Sequence, residues 1–196
     1  MAITNGYCTL ANFKLYGIEN AGADSDDDAF IEMMIEAASR YIDAQTGRTF
    51  YARTETRYYD VPSGRTLLFD DDLLTITALT NGDDNTIAAT EYNFLPRNVT
   101  PYYGLRLTAS TSTYFQQDSS GNVEDVISVA GTWGFVASTP DDVEQACFEI
   151  VKSMYNRRAG QGTEGVATIT GAGVVITPRS VPPFAQAVIQ RYRKRL

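Results

Sequence analysis

Apolar side chains recur every three or four positions through residues 24–46, which predicts a long amphipathic helix. Asp26, Asp27 and Asp28 fall in its first turn, where the helix dipole favours negative charge. Gly47 follows where a left-handed helix cap is expected. The buried stripe of this helix should comprise Phe30, Ile31, Met34, Ile35, Ala38, Tyr41 and Ile42.

Two further helices are marked by capping residues. Thr9 can cap a short helix over 9–16, which Gly17 would end. Thr139 and Pro140 suit the N-cap and first position of a helix over 140–158. Its apolar face should be Val143, Ala146, Cys147, Ile150, Val151, Met154 and Tyr155.

The segment 49–135 between these helices shows the alternation and turn residues of antiparallel strands. We expect strands over 49–59, 66–69, 73–79, 105–107 and 123–133, and a hairpin of 86–89 with 92–95. The polar segment 110–122 should be a mobile loop. The pattern therefore predicts an α+β fold, in which a helical bundle carries an inserted antiparallel β-region.

The composition changes after residue 159. Residues 160–173 contain five glycines and should be flexible, and 166–169 with 174–176 could pair as a hairpin. A short helix with a basic end follows over 184–192, with Phe184, Val188 and Tyr192 on one face. We expect a core over 1–159 and an extended C-terminal arm over 160–196.

Charge is distributed unevenly along the 196 residues. The chain holds 16 basic and 24 acidic residues, but the last 18 residues contain five basic side chains and no acidic one. Residues 1–178, the acidic body of the chain, thus carry a net charge of −13, which repels DNA phosphates. No apolar run is long enough to cross a bilayer, and the N-terminus does not resemble a signal peptide.

The usual residues of enzyme and metal sites are missing from the sequence. It contains no histidine and no phosphate-binding glycine loop followed by lysine, so we expect no catalytic residues, no metal and no cofactor. The aspartates at 70–72 could bind a hard cation, although they lack EF-hand spacing. Cys8 and Cys147 lack metal-site spacing and are expected to be thiols, with a disulfide between them left open.

Several segments, in one order along the chain, resemble the phage head-tail connector (adaptor) family. They are Tyr-Cys-Thr-Leu-Ala-Asn-Phe-Lys at 7–14, Ala-Ser-Arg-Tyr-Ile-Asp-Ala-Gln-Thr-Gly-Arg-Thr-Phe at 38–50, Thr-Glu-Tyr-Asn-Phe-Leu-Pro at 90–96 and Val-Ala-Gly-Thr-Trp-Gly-Phe at 129–135. Asn12 stands where the family more often has an acid.

This resemblance implies a structural, non-enzymatic protein of the virion neck, assembled in the host cytoplasm. It implies a ring of copies, of twelve in most members, between the portal protein and a tail or neck protein, through which DNA passes without tight binding. The C-terminal helix would dock into the portal through Phe184, Val188, Arg191, Tyr192, Arg193, Lys194 and Arg195. The alternative is a terminal helix folded back on its own domain.

Two other functions remain open from the residues themselves. The tyrosines of the β-region, at 51, 58, 59, 92, 102 and 103, could stack on sugars in a tail-completion or carbohydrate-binding module. Alternatively, two carboxylates that meet in space could hydrolyse a substrate.

Overall fold

The computed structural model of the chain describes residues 3–16, 25–158, 168–169, 175–176 and 181–194. They form two compact units, one built from the two ends of the chain and one from residues 48–138. The α+β fold predicted from the sequence is confirmed. Among the described residues, no helix is long and apolar enough to span a membrane.

Within its described residues, the helical unit contains four helices: α1 (Leu10–Tyr16), α2 (Asp28–Thr46), α3 (Asp141–Arg158) and α4 (Pro183–Tyr192). Helix α2 packs against α3, and α4 packs against both. The main-chain N–H of Asn12 donates to the Thr9 hydroxyl at 3.1 Å, which confirms the predicted cap of α1. Gly47 adopts the predicted left-handed conformation after α2, with φ of 67°.

Burial of the apolar faces fits the predicted periodicity. Ile31, Ile35, Ala38 and Ile42 of α2 are at most 2% exposed. They lie on the same side of the helix because they recur at three- and four-residue intervals. The opposing face of α3 buries Val143, Ala146, Cys147, Ile150 and Val151.

The C-terminal segment was expected to be an arm separate from the core. In the structure, α4 belongs to the helical unit and packs on α2 and α3. Strands β6 (Thr168–Ile169) and β7 (Val175–Ile176) pair antiparallel, as the hairpin prediction required. The glycines at 160, 162, 165, 171 and 173, and with them the predicted flexibility, lie outside the described residues.

The β-unit is a five-stranded antiparallel sheet, formed by β1 (Arg53–Tyr59), β2 (Thr66–Thr80), β3 (Tyr92–Leu95), β4 (Tyr102–Leu107) and β5 (Ile127–Trp133). The strand order is β1-β5-β2-β4-β3. Its core centres on Trp133, which is fully buried and whose indole N–H donates to the carbonyl of Glu55 at 3.2 Å. The sheet thus satisfies the polar atom of its largest core side chain.

Two strand predictions were wrong in detail. Residues 66–69 and 73–79 form one strand, β2, whose pairing with β4 shifts between Leu68 and Leu73. The strand can continue through the three aspartates because arginines pair with them. Residues 86–89 make only an isolated bridge at Thr86, and β3 pairs with β4 instead. That pairing places Leu105 and Leu107 opposite Phe94 and Tyr92.

Candidate assembly surfaces

Helix α4 carries most of the residues predicted to contact a portal. It begins after Pro182, with Pro183 in its first turn, where a missing N–H costs no helical hydrogen bond. Its inner face buries Ala185, Val188 and Ile189. Val188, predicted to fill a groove on a partner, is only 6% exposed and packs within its own helical unit.

The basic end of α4 is fixed to the same unit by polar contacts. The Tyr192 hydroxyl lies 3.0 Å from each carboxylate oxygen of Asp142, to which it can donate. Arg191 forms an ion pair with Asp142 at 3.3 Å. The main-chain N–H of Lys194 donates to the carbonyl of Thr46 at 2.7 Å. Partial burial and the bond to Asp142 both raise the pKa of Tyr192.

The remaining predicted residues differ in their access to a partner. Phe184 is 43% exposed at the start of α4, although its aromatic ring is large and apolar. Arg191 and Arg193 are exposed at the other end. Arg195 lies outside the described residues. The outer face of α4 therefore presents an apolar side chain at one end and guanidinium groups at the other.

A groove beside α1 and α3 was not predicted from the sequence. Its volume is about 500 Å³, and it is lined by Asn12, Asp141, Glu144, Gln145, Phe148, Glu149 and Lys152. The Phe148 ring packs on Phe13, with centroids 5.4 Å apart. The Asn12 amide donates to the Glu144 carboxylate at 3.1 Å. The asparagine that departs from the connector pattern thus supplies a donor where an ionised acid would face Glu144.

The three aspartates of β2, considered above as a cation site, are each paired with arginine. Asp72 contacts Arg48 at 2.6 Å and Asp71 contacts Arg53 at 2.5 Å. Arg57 contacts Asp70 at 2.8 Å and also Asp71. Guanidinium groups therefore occupy the positions that a cation would need. Across the parts of the chain that the structure describes, no acidic or cysteine cluster is arranged to hold a metal ion.

Asp70 also accepts a hydrogen bond from Tyr59 at 2.7 Å. Partial burial opposes ionisation of Asp70, but the bonds from Tyr59 and Arg57 together outweigh it and lower its pKa. Burial, followed by the bond to Asp70, raises the pKa of Tyr59. The lowered pKa keeps the Asp70 carboxylate in its ionised form, in which it pairs with Arg57.

The six tyrosines proposed for sugar stacking do not share one environment. Tyr92 belongs to the buried core of the β-unit. Tyr59 is partly buried against that core, where its ring contacts Phe69. Tyr102 stacks on Phe94, with ring centroids 4.1 Å apart. The exposed members of the set are Tyr58, at 61%, and Tyr103, at 50%. Three of the six rings, those of Tyr59, Tyr92 and Tyr102, therefore stabilise the β-unit itself.

Comparison with protein families gives a match over nearly the whole chain. A family model described as head completion protein matches residues 8–195. No curated protein matches the sequence significantly.

Solved structures with a similar fold come from gene transfer agent particles. A chain from the neck of an empty particle, computed with C6 symmetry, superposes with a TM-score of 0.60 and is 21% identical. The match covers 100% of the present chain and 94% of that one. A chain from the neck of a native particle, computed with C12 symmetry, gives a TM-score of 0.58 at 19% identity, covering 100% and 93%.

Proposed function

Because the chain belongs to the head completion protein family, we propose that it forms a ring in the neck of a phage particle, between the portal and the tail. The single observation that carries this proposal is the family match over residues 8–195, which includes all four helices and the β-unit. The family's role is structural, and the proposed activity is assembly and not catalysis.

The symmetry of the ring is a second part of the proposal. The fold is shared with neck chains of particles computed with C6 and C12 symmetry. A closed ring needs one surface of each copy to complement a different surface of the next copy. A ring of twelve copies is the arrangement we propose, with the acidic groove of Asn12, Glu144 and Phe148 as one of its contact surfaces.

The outer face of α4 is the surface we propose for the portal. Phe184 offers apolar area that its own unit leaves exposed, and Arg191 and Arg193 offer charge. Val188 and Tyr192 would contribute indirectly, by holding α4 on α2 and α3. The proposal therefore keeps the predicted helix but restricts the contact to its outward residues.

The negative net charge of the β-unit is consistent with a passage that does not bind DNA tightly. The β-unit, residues 48–138, holds six arginines, no lysine and eleven acidic residues. Arg48, Arg53 and Arg57 are already paired with aspartates. Tight duplex binding requires clustered cations that release counterions from the phosphates. A ring of such units would let DNA pass without retaining it.

The test is to mix the purified chain with its cognate portal and image the mixture by negative stain. We expect a ring on the portal, with its copy number measured by native mass spectrometry. The double variant Phe184→Ser, Arg193→Glu should lose attachment while remaining folded. A matched control is Leu15→Ser, which removes an apolar side chain that is 69% exposed on α1.

The outcomes separate the parts of the proposal. A wild-type chain that never joins the portal contradicts the neck function. Normal attachment of the double variant contradicts only the α4 contact. Equal loss in Leu15→Ser would show that the effect is not specific to α4.

A further inference from the structure

Two buried thiols meet where the N-terminal segment crosses the helical unit. The Sγ atoms of Cys8 and Cys147 are 3.5 Å apart, although the residues are 139 positions apart in the chain. Cys8 is 3% exposed and Cys147 is fully buried, and both are free. Neither thiol is used by the assembly surfaces described above.

The hydrogen bonds around Ser39 fix how the thiols are arranged. The Ser39 hydroxyl donates to the carbonyl of Ile35 at 2.7 Å and accepts the N–H of Tyr7 at 2.9 Å. A serine hydroxyl has one proton, so its oxygen can only accept from Cys147, at 3.6 Å. The Cys147 S–H therefore points to Ser39, and its sulfur lone pairs are available to the Cys8 S–H.

From this arrangement we infer that Cys8 and Cys147 form an intramolecular disulfide when the chain meets a low-molecular-weight disulfide. A disulfide bond is about 2.05 Å long, so the sulfurs must approach by about 1.5 Å. Forming the bond requires rotation of the two side chains to close that gap. The cross-link joins the segment before α1 to the centre of α3.

The closed structure protects the thiols from reaction. The hydrogen bond to Cys147, and then burial, raise the pKa of Cys8. Reaction therefore starts when the segment 3–8 opens and Cys8 reaches solvent. Two of the contacts that hold the segment closed are the Arg40 guanidinium, which donates to the carbonyl of Asn5 at 3.0 Å, and the Tyr7 hydroxyl on Asp43.

The oxidation proceeds in two exchange steps. The exposed Cys8 thiol loses its proton, attacks one sulfur of the small disulfide and displaces one thiolate, which leaves a mixed disulfide on Cys8. When the segment closes again, Cys147 loses its proton and attacks the Cys8 sulfur, displacing the second thiolate. The two protons end on the two small thiols, and the small disulfide has accepted two electrons.

The cross-link would stabilise the fold strongly, because it closes a very long loop. Residues 9–146, including the whole β-unit, lie between the two cysteines. In the chain-entropy model, longer closed loops restrict the unfolded chain more. One consequence rests on the proposed neck function: the thiols stay reduced in the host cytoplasm and oxidise in the released particle.

The experiment treats the purified full chain with oxidised glutathione under native conditions, then unfolds it in an alkylating reagent. We expect a loss of two hydrogens, no alkylation and no retained glutathione. Trypsin should then release the peptides 1–14 and 107–152 as one linked species. The oxidised chain should melt at least about 5 °C above the reduced chain.

Cys8→Ala and Cys147→Ala are the matched controls, since each removes one thiol. Neither should gain thermal stability from oxidised glutathione. The inference is overturned if both cysteines of the wild type remain alkylatable, if glutathione stays on one of them, or if dimers form. Those results concern the isolated chain and leave the neck proposal to its own test.

Discussion

The Tyr192 hydroxyl lies 3.0 Å from both carboxylate oxygens of Asp142, and so joins the end of α4 to the start of α3. This contact, together with burial of Val188 and Ile189, makes the terminal helix part of the helical unit. A change in α4 can therefore act through folding or through a partner. The first prediction separates these effects.

We predict that Val188→Asp lowers the free energy of unfolding by about 3 kcal/mol or more, because it buries a charge without a partner. Phe184→Ser should change stability by less than about 1 kcal/mol, because Phe184 is 43% exposed. Urea denaturation of both variants measures the difference. Equal stability of the two would contradict the packing of α4 on α2 and α3.

The second prediction concerns Gly131 in β5. A Cβ built on this residue would lie 2.1 Å from the carbonyl oxygen of Thr75, on the neighbouring strand. Because that neighbour is backbone, it cannot move without disturbing the β2–β5 pairing. We expect Gly131→Ala to lower the free energy of unfolding by about 3 kcal/mol.

Gly64 provides the control for this substitution. A Cβ at Gly64 has no atom within 4 Å. Gly64→Ala should therefore leave the thermal midpoint within about 2 °C of the wild type. If both alanine variants have the same thermal midpoint, the short distance between β2 and β5 is not the reason that position 131 requires glycine.

The third prediction is a pH dependence carried by Asp70. Its pKa is lowered in the folded chain. Ionised Asp70 therefore contributes its full stabilisation at pH values above the ordinary carboxyl pKa. That contribution is lost as the pH falls through the lowered value. Wild type should thus exceed Asp70→Asn in stability at pH 7, by less than about 1 kcal/mol because Asp70 is exposed.

The measurement is urea denaturation of both proteins from pH 7 to pH 2. The gap should narrow steadily below about pH 5, as Asp70 takes up a proton. A gap that stays constant to pH 2 would show that the variant acts through lost shape and not through charge.

The fourth prediction concerns duplex DNA. The full chain should show no binding at micromolar concentration in about 150 mM salt, because its net charge is −8. Fluorescence anisotropy of a labelled duplex provides the measurement. Any binding seen at low salt should disappear when Arg191, Arg193, Lys194 and Arg195 are changed to glutamine; binding that survives this change would locate it on the acidic body.

Much of the fold could be predicted because it is encoded locally. The spacing of Ile31, Ile35 and Ile42 identified α2, and the Thr9 hydroxyl identified the start of α1. Continuity of β2 could not be predicted, because Asp70, Asp71 and Asp72 resemble a turn until arginines from elsewhere in the β-unit pair with them.

The candidate assembly surfaces could be predicted only in part from the sequence. The spacing of Phe184, Val188 and Tyr192 correctly predicted a helix. Such spacing does not indicate whether the apolar face packs on the same chain or on a partner. The groove near Phe148 was missed because a single aromatic residue on a polar helix face gives no signal. One wall of the groove is the ring of Phe148, which packs on Phe13 from a distant part of the chain.

The sequence by itself determined the helices, most strands, the acidic body and the family, because these depend on residue types at short spacing. The tertiary structure alone decided the contacts made over long separations. It brought Cys8 to Cys147, turned α4 so that Val188 is buried and Phe184 exposed, and paired the β2 aspartates with arginines. Such contacts depend on the path of the whole chain, and that path is fixed only when the elements pack together.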